Sequence, residues 1–308
     1  MTFDAVADPV AESSWRPATH PLSPTAAFGG RCAGAGRRDA DPASPAVHGR
    51  EGPGPGARPL NNGVVGHVTT SWAYGPCNLR GPHLAEPPAF EDLDAGAVLV
   101  RYDCKIPEGV FDGAVAAALV VGEIRDRAWL EVDGMRVAQL SRADGDRAAV
   151  LPPVRALTVI VEDEGRINYG PSIGETKGIA GGVLISGEPL TGWQAQPIDL
   201  QGLAETIARA PVGPATGRAG LRGSFTLQAP TDLHLDTVTL GTGFAVLNGY
   251  VLGRYSRRRP QPTLFVPAPL TRAGVNELIL IEMNQIIEPV VSFRRQRRSW
   301  PCRGVGAT

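Results

Sequence analysis

The chain has almost no lysine: across 308 residues, Lys105 and Lys177 stand against 28 arginines. That bias reflects a GC-rich coding sequence rather than chemistry. An excess of either charge is also missing. The net charge is −1, so no overall field draws the chain to nucleic acid or to an anionic membrane. Aromatics make up only 6%, and none interleaves the arginine runs at 257–259 and 294–298. Those runs read as a solvated loop and a disordered basic tail, not as a nucleic-acid surface. No apolar run approaches 18 residues. Residues 1–15, with Asp4, Asp8 and Glu12, lack the basic and apolar regions of a signal peptide. The expected location is therefore cytoplasmic, with no membrane partner. Cys32, Cys77, Cys104 and Cys302 form no CxxC pair, which argues against a zinc site or a disulfide framework. His20, His48, His67, His83 and His234 have no metal-ligand spacing. Gly34–Gly36 follows no strand and opens no helix, so it is no phosphate cradle. Neither a metal nor a cofactor is implied.

Glycine (38) and proline (28) are abundant but unevenly placed. Between Arg31 and Leu60, 17 of 30 residues are Gly, Pro or Ala, too few large side chains to offset ordering entropy. Residues 1–87 are expected to be a disordered, low-complexity leader. Their Arg/Ala/Gly/Pro-rich text also resembles a GC-rich gene translated out of frame. From Pro88 the texture changes to short apolar runs separated by turn residues, which predicts all-β sandwiches. Two sandwich domains are expected, over 88–199 and 218–293, joined by a linker over 200–217. Helical periodicity shows only around Leu200–Ala210.

Two hairpins stand out. Ala128–Val132 leads through Asp133-Gly134 into Met135–Leu140, and Phe244–Leu247 leads through Asn248-Gly249 into Tyr250–Tyr255. Asp-Gly and Asn-Gly suit a type I′ turn, which needs positive φ at both central residues. Gly134 and Gly249 lie 115 residues apart, as do Pro152 and Pro267. The strands that follow end at Glu162 and Glu282, 120 apart, implying a five-residue insertion near Thr271–Val275. Ordered features at nearly one offset predict two copies of one unit.

Several passages resemble the C-terminal part of glycoside hydrolase family 35 β-galactosidases. They are residues 161–171 (VEDEGRINYGP), 177–183 (KGIAGGV), Leu190-Thr191-Gly192-Trp193, Asp133-Gly134 preceded by Arg125–Ala128, residues 248–255 (NGYVLGRY), 264–270 and 274–278. The resemblance runs from about Pro88 to Phe293. It implies two galactose-binding-domain-like jelly rolls that pack behind a catalytic (β/α)₈ barrel carrying both catalytic glutamates. Such a barrel takes about 250 residues, and only 87 precede Pro88. The chain departs from the family pattern at Leu240–Thr242, at Ser256 and after Phe293.

No catalytic residue is assigned. Glu162, Asp163, Glu164 and Glu175 read as solvated or arginine-paired carboxylates, with Arg166 the obvious partner, rather than as a glycosidase pair. The Gly165–Gly170 loop offers glycines for positive φ and close approach. Arg166, Asn168 and Tyr169 add a donor fork, an amide and an aromatic face, which suit a sugar. By the resemblance, Tyr169 helps wall a galactose site. Arg166, Asn168, Tyr169 and Trp193 are therefore the candidate substrate-adjacent or barrel-docking residues. Trp129, alternating with Leu130 and Val132, is expected in the core. Three readings follow: a non-catalytic β-galactosidase portion, a stand-alone carbohydrate-binding module, or half of a split enzyme. Their partners would be a β-galactoside or a separate barrel chain.

Overall fold

A computed structural model of the chain describes residues 65–66, 82–93, 96–210, 218–257, 262–284 and 291–297. The leader before Val65, most of the basic tail and their suggested out-of-frame origin lie outside the described residues. No described helix is long and apolar enough to cross a membrane.

After strand β1 (Val65–Gly66) and the short helix α1 (Phe90–Leu93) comes a run of antiparallel strands: β2 (Leu99–Lys105), β3 (Ala117–Arg125), β4 (Arg127–Val132), β5 (Met135–Ser141), β6 (Ala148–Leu151), β7 (Ala156–Glu162), β8 (Gly178–Ile185), β9 (Glu188–Pro189) and β10 (Gln194–Pro197). They form a five-stranded sheet, β10-β2-β7-β4-β5, and a four-stranded sheet, β6-β3-β8-β9. Helix α2 (Leu200–Arg209) follows. The next strands are β11 (Ala219–Leu227), β12 (Leu233–Asp236), β13 (Thr242–Leu247), β14 (Tyr250–Ser256), β15 (Thr263–Val266), β16 (Gly274–Glu282) and β17 (Ser292–Arg294). They give the sheets β1-β11-β16-β13-β14 and β15-β12-β17. The chain folds as all-β sandwiches, as its alternation predicts.

The two halves repeat one topology. β2-β7-β4-β5 corresponds strand for strand to β11-β16-β13-β14, and β6-β3-β8 to β15-β12-β17. Both hairpin turns have positive φ at both central residues, Asp133-Gly134 and Asn248-Gly249. Each hairpin also slips register once, between Leu130 and Glu131 in the first and between Ala245 and Val246 in the second. Those positions keep the 115-residue offset, so the bulge belongs to the shared unit. The predicted insertion is spread out. The β6–β7 connection of four residues becomes seven between β15 and β16, and a seven-residue strand becomes nine.

Each sandwich has its own core. Val100, Tyr102, Leu119, Val121, Leu157, Val159, Val161 and Trp193 belong to the first. Leu221, Phe225, Leu235, Leu247, Leu278, Leu280 and Phe293 belong to the second. The alternate residues of the two five-stranded sheets are buried as well, in a third apolar layer. Leu99, Trp129 and Ile160 from one side join Phe244, Val246, Ile279, Ile281 and Met283 from the other, with Ala204 and Ile207 of α2. Asp199 caps α2 by accepting from the backbone N–H groups of Gln201 and Gly202, both at 3.0 Å. Strands β4 and β13 are consequently buried at every position. Trp129 is buried as expected, but in this shared layer, where its Nε1 donates to Asn284 Oδ1 at 3.0 Å.

Candidate functional site: an exposed loop on a buried ionic base

Strand β7 ends at Glu162 and β8 begins at Gly178, leaving the loop 163–177 between the two sheets of the first sandwich. Gly165 and Gly170 adopt φ of 134° and 98°, values that L side chains rarely tolerate. At the far end, a Cβ on Gly178 would lie 2.7 Å from the Tyr102 hydroxyl. Glycine there lets the returning chain press against the core.

The base of the loop is ionic and largely buried. Lys177 has a side chain only 1% exposed, and its Nζ lies 2.8 Å from Asp126 Oδ2, 3.6 Å from Glu175 Oε1 and 3.7 Å from Asp163 Oδ1. Two of those carboxylates, Asp163 and Glu175, stand at opposite ends of the loop, so one ammonium ties its start to its finish. Asp126 Oδ2 also accepts from the Glu164 N–H at 3.0 Å. Arg142 Nη2 donates to Glu175 Oε2 at 2.9 Å, and Glu91 accepts from the Lys177 N–H at 3.1 Å. Burial pushes the Asp163 carboxyl above its usual range. Burial also acts to raise Glu175, but the hydrogen bond and charge of Arg142, aided by Lys177, hold it below that range.

Above this base the loop faces solvent. Tyr169 is 89% exposed and Ile173 61%, and Asn168 is exposed beside them. Arg166 is half-exposed and pairs with Glu91 and with Asp163, the latter at 3.4 Å. Three of the four candidate residues thus share one loop. Trp193 does not join them. It is fully buried in the first core, where its Nε1 donates to Leu190 O at 2.7 Å. Leu84, ahead of the expected domain start, pairs with it through the backbone.

The acidic run is arginine-paired, one of the two environments expected for it, but Arg166 takes only Asp163 from it. Glu162 and Glu164 are buried and have other arginines as partners. Arg254 Nε sits 2.7 Å from Glu162 Oε1 and its guanidinium also bonds Glu164. Arg127 Nε donates to Glu164 Oε1 at 2.8 Å. Alternation decides the partners: Glu162 points into the shared layer, towards β14, whereas Arg166 lies on the loop. Burial pushes Glu162 upward against the pull of Arg254. Sealed by two arginines, neither carboxylate presents an oxygen to a substrate. Among the described residues no cluster of His, Cys, Asp or Glu is arranged for a metal ion. Where Asp126, Asp163 and Glu175 converge, the Lys177 ammonium lies between them.

Residues 87–199 match the family model described as "Beta-galactosidase, first all-beta domain", and residues 221–276 the one described as "Beta-galactosidase, galactose-binding domain". These are β-galactosidase all-β domains. Over 155 residues the chain is 34% identical to β-galactosidase of Xanthomonas manihotis, covering 48% of this chain and 25% of that protein. Against β-galactosidase of Bos taurus it is 28% identical over 224 residues, or 64% and 34% of the two chains. Human beta-galactosidase-1-like protein 2 is 28% identical over 178 residues, covering 54% of this chain and 28% of its own length. The chain thus spans about a quarter to a third of the length of these relatives. The Tyr169 loop and its ionic base lie in the first all-β domain. Arg254, Asn284 and their neighbours bring the second sandwich against it.

Sequence reasoning missed the ionic base, because Asp126, Arg142 and Glu175 are scattered along the chain. One signal pointed to it. Lys177 is one of only two lysines, with Lys105, in a chain that writes its other long cationic side chains as arginine.

Proposed function

We propose that this chain is the non-catalytic, carbohydrate-associated portion of a β-galactosidase-like glycoside hydrolase, inactive alone, and that loop 163–177 is the surface it turns towards a separate catalytic barrel and its galactoside. The observation that carries this reading is Tyr169, 89% exposed on a loop whose two ends are tied to one buried lysine. An aromatic ring left in water on a fixed support suits a partner surface better than a mobile loop does. Its face fits the C–H side of a pyranose, while Arg166 and Asn168 can bond hydroxyls. Both hydrolytic carboxylates of a retaining double displacement would come from the barrel, with Tyr169 as an accessory wall. This reading gives nucleic acid and membranes no part and takes the chain to be cytoplasmic.

Complementation tests it. The part of the Xanthomonas manihotis enzyme outside the matched stretch is mixed with this chain, and turnover of a chromogenic β-galactoside is followed. Turnover should rise on addition of the chain and fall back with Tyr169→Ala. No rise, or an equal rise with Tyr169→Ala, contradicts the proposal.

A further inference from the structure

The sheet β6-β3-β8-β9 turns Leu119, Val121 and Ile185 into the first core. Alternation sends Ala118, Val120, Ala148, Val150 and Leu184 to its other side, and these five, with Pro189, are exposed. Register joins the six into one patch. Val150 lies opposite Ala118, Ala148 opposite Val120, Val120 opposite Leu184, and Leu184 opposite Pro189. Val120, Val150 and Leu184 are 41%, 68% and 38% exposed, and no charged side chain stands among the six. The solvent side of an antiparallel sheet ordinarily alternates to polar residues. This one does not.

The repeat supplies a comparison. The corresponding sheet β15-β12-β17 has the same topology, yet its outer side carries His234 and the Arg294–Asp236 pair at 2.6 Å. The fold of the unit therefore does not require an apolar exterior, and a contiguous exposed apolar patch marks an interaction surface. The sheet edges are poorly suited to that role. Strand β9 is two residues long and ends in a proline, and β6 runs into Pro152-Pro153, features that blunt an edge against further strands. What remains open is the face.

We infer that this face is the interface between two copies of the chain, packed sheet on sheet about a two-fold axis parallel to the strands. Such an axis sets β6 of one copy against β9 of the other, and Val120 against the second copy's Leu184. It also brings unlike charges together. Arg147, whose backbone oxygen accepts from the Val121 N–H at 2.7 Å, flanks β6, and Glu188 lies on β9; both are exposed. The rotation places the Arg147 edge of each copy beside the Glu188 edge of the other. A neutral apolar centre between edges of opposite charge is thus complementary to itself, as an isologous contact requires. Four strands about 4.8 Å apart and four residues of about 3.4 Å span about 19 by 13 Å. That is smaller than the roughly 800 Å² per partner of a standard interface, so the dimer is weak and reversible. Leu184 stands six residues along β8 from Gly178, about 20 Å. The Tyr169 loop stays clear of the contact, and the inference does not depend on the function proposed for that loop.

Sedimentation equilibrium of the 308-residue chain, from micromolar to submillimolar concentration, tests it. The average mass should rise reversibly from one chain and level off at two. Val120→Asp and Leu184→Asp, both at exposed positions, should each weaken the dimer about tenfold or more by burying an unpaired carboxylate; thermal unfolding confirms that they are folded. Phe265→Asp, on the corresponding sheet of the second half, should leave the dimer unchanged. Arg147→Glu should weaken it, and adding Glu188→Arg to the same chain should restore it. A single-chain mass at every concentration overturns the inference, whether the face stays bare, is covered by the leader before Val65 or is kept for a different protein. So does a mass that grows past two copies, or a dimer that survives both Val120→Asp and Leu184→Asp.

Discussion

Lys177 sets the behaviour of the loop at the residue scale. Its ammonium is the buried counter-charge shared by Asp126, Asp163 and Glu175. Lys177→Met would leave those carboxylates without it, at a cost of about 3–5 kcal/mol, measurable by denaturant unfolding. Tyr169→Ala, at a position facing water, should change stability by less than about 0.5 kcal/mol in the same experiment. The loop should also respond to acid. Glu175 has a folded-state pKa below its ordinary value of 4.5, so its contribution is fully present above that value and is lost as pH falls through the folded one. Asp163 runs the other way, raised above 3.8; its contribution is largest in acid and declines as pH rises through its folded value. Amide protection of residues 165–176, corrected for the intrinsic pH dependence of exchange, should fall below about pH 4.5 where the Glu175 contribution outweighs that of Asp163, and Glu175→Gln should remove most of that fall. Protection unaltered by acid, in the chain and in Glu175→Gln alike, would show that Glu175 does not hold the loop.

Elements differ in how far their sequence announces them. The hairpins β4–β5 and β13–β14 are legible because alternation and an Asp-Gly or Asn-Gly turn agree. Gly249 has φ of 82° with nothing within 4 Å of a added Cβ. Gly249→Ala should consequently cost about 1 kcal/mol through backbone strain alone, read from the thermal midpoint. Strand β10, Gln194–Pro197, has no apolar alternation and is set by pairing with β2, so no local pattern could reveal it. Strand β8 starts at Gly178, before the run Gly182–Ile185 that its apolar residues suggest, because glycines at 178, 181 and 182 blur the period. The tip of the candidate site was legible from glycine spacing and side-chain chemistry. Its foundation was not, since Asp126, Arg142 and Glu175 come from separate segments. The Glu162 partner was misread for a related reason: Arg254 is 92 residues away, while Arg166 is near in sequence but on another face.

At the scale of the whole molecule, the shared layer makes the two sandwiches one mechanical unit. Its apolar residues come from both five-stranded sheets and α2, and Arg254, Trp129 and Arg218 cross it to Glu162, Asn284 and Glu131. An interface this apolar should couple the halves, so calorimetry should record a single unfolding transition. Arg254→Met leaves the buried Glu162 carboxylate only the more distant Arg127, at 3.8 Å, and should lower stability by about 3 kcal/mol, separating the halves into two transitions. Two independent transitions in the unaltered chain would show that the layer does not couple them. The chain carries β-galactosidase all-β domains, and the central proposal is that it does not hydrolyse β-galactosides by itself. Release of chromophore from an aryl β-galactoside by the purified 308-residue chain tests it most directly. The predicted rate is indistinguishable from the uncatalysed background, and turnover above that background, co-purifying with the chain, would contradict it.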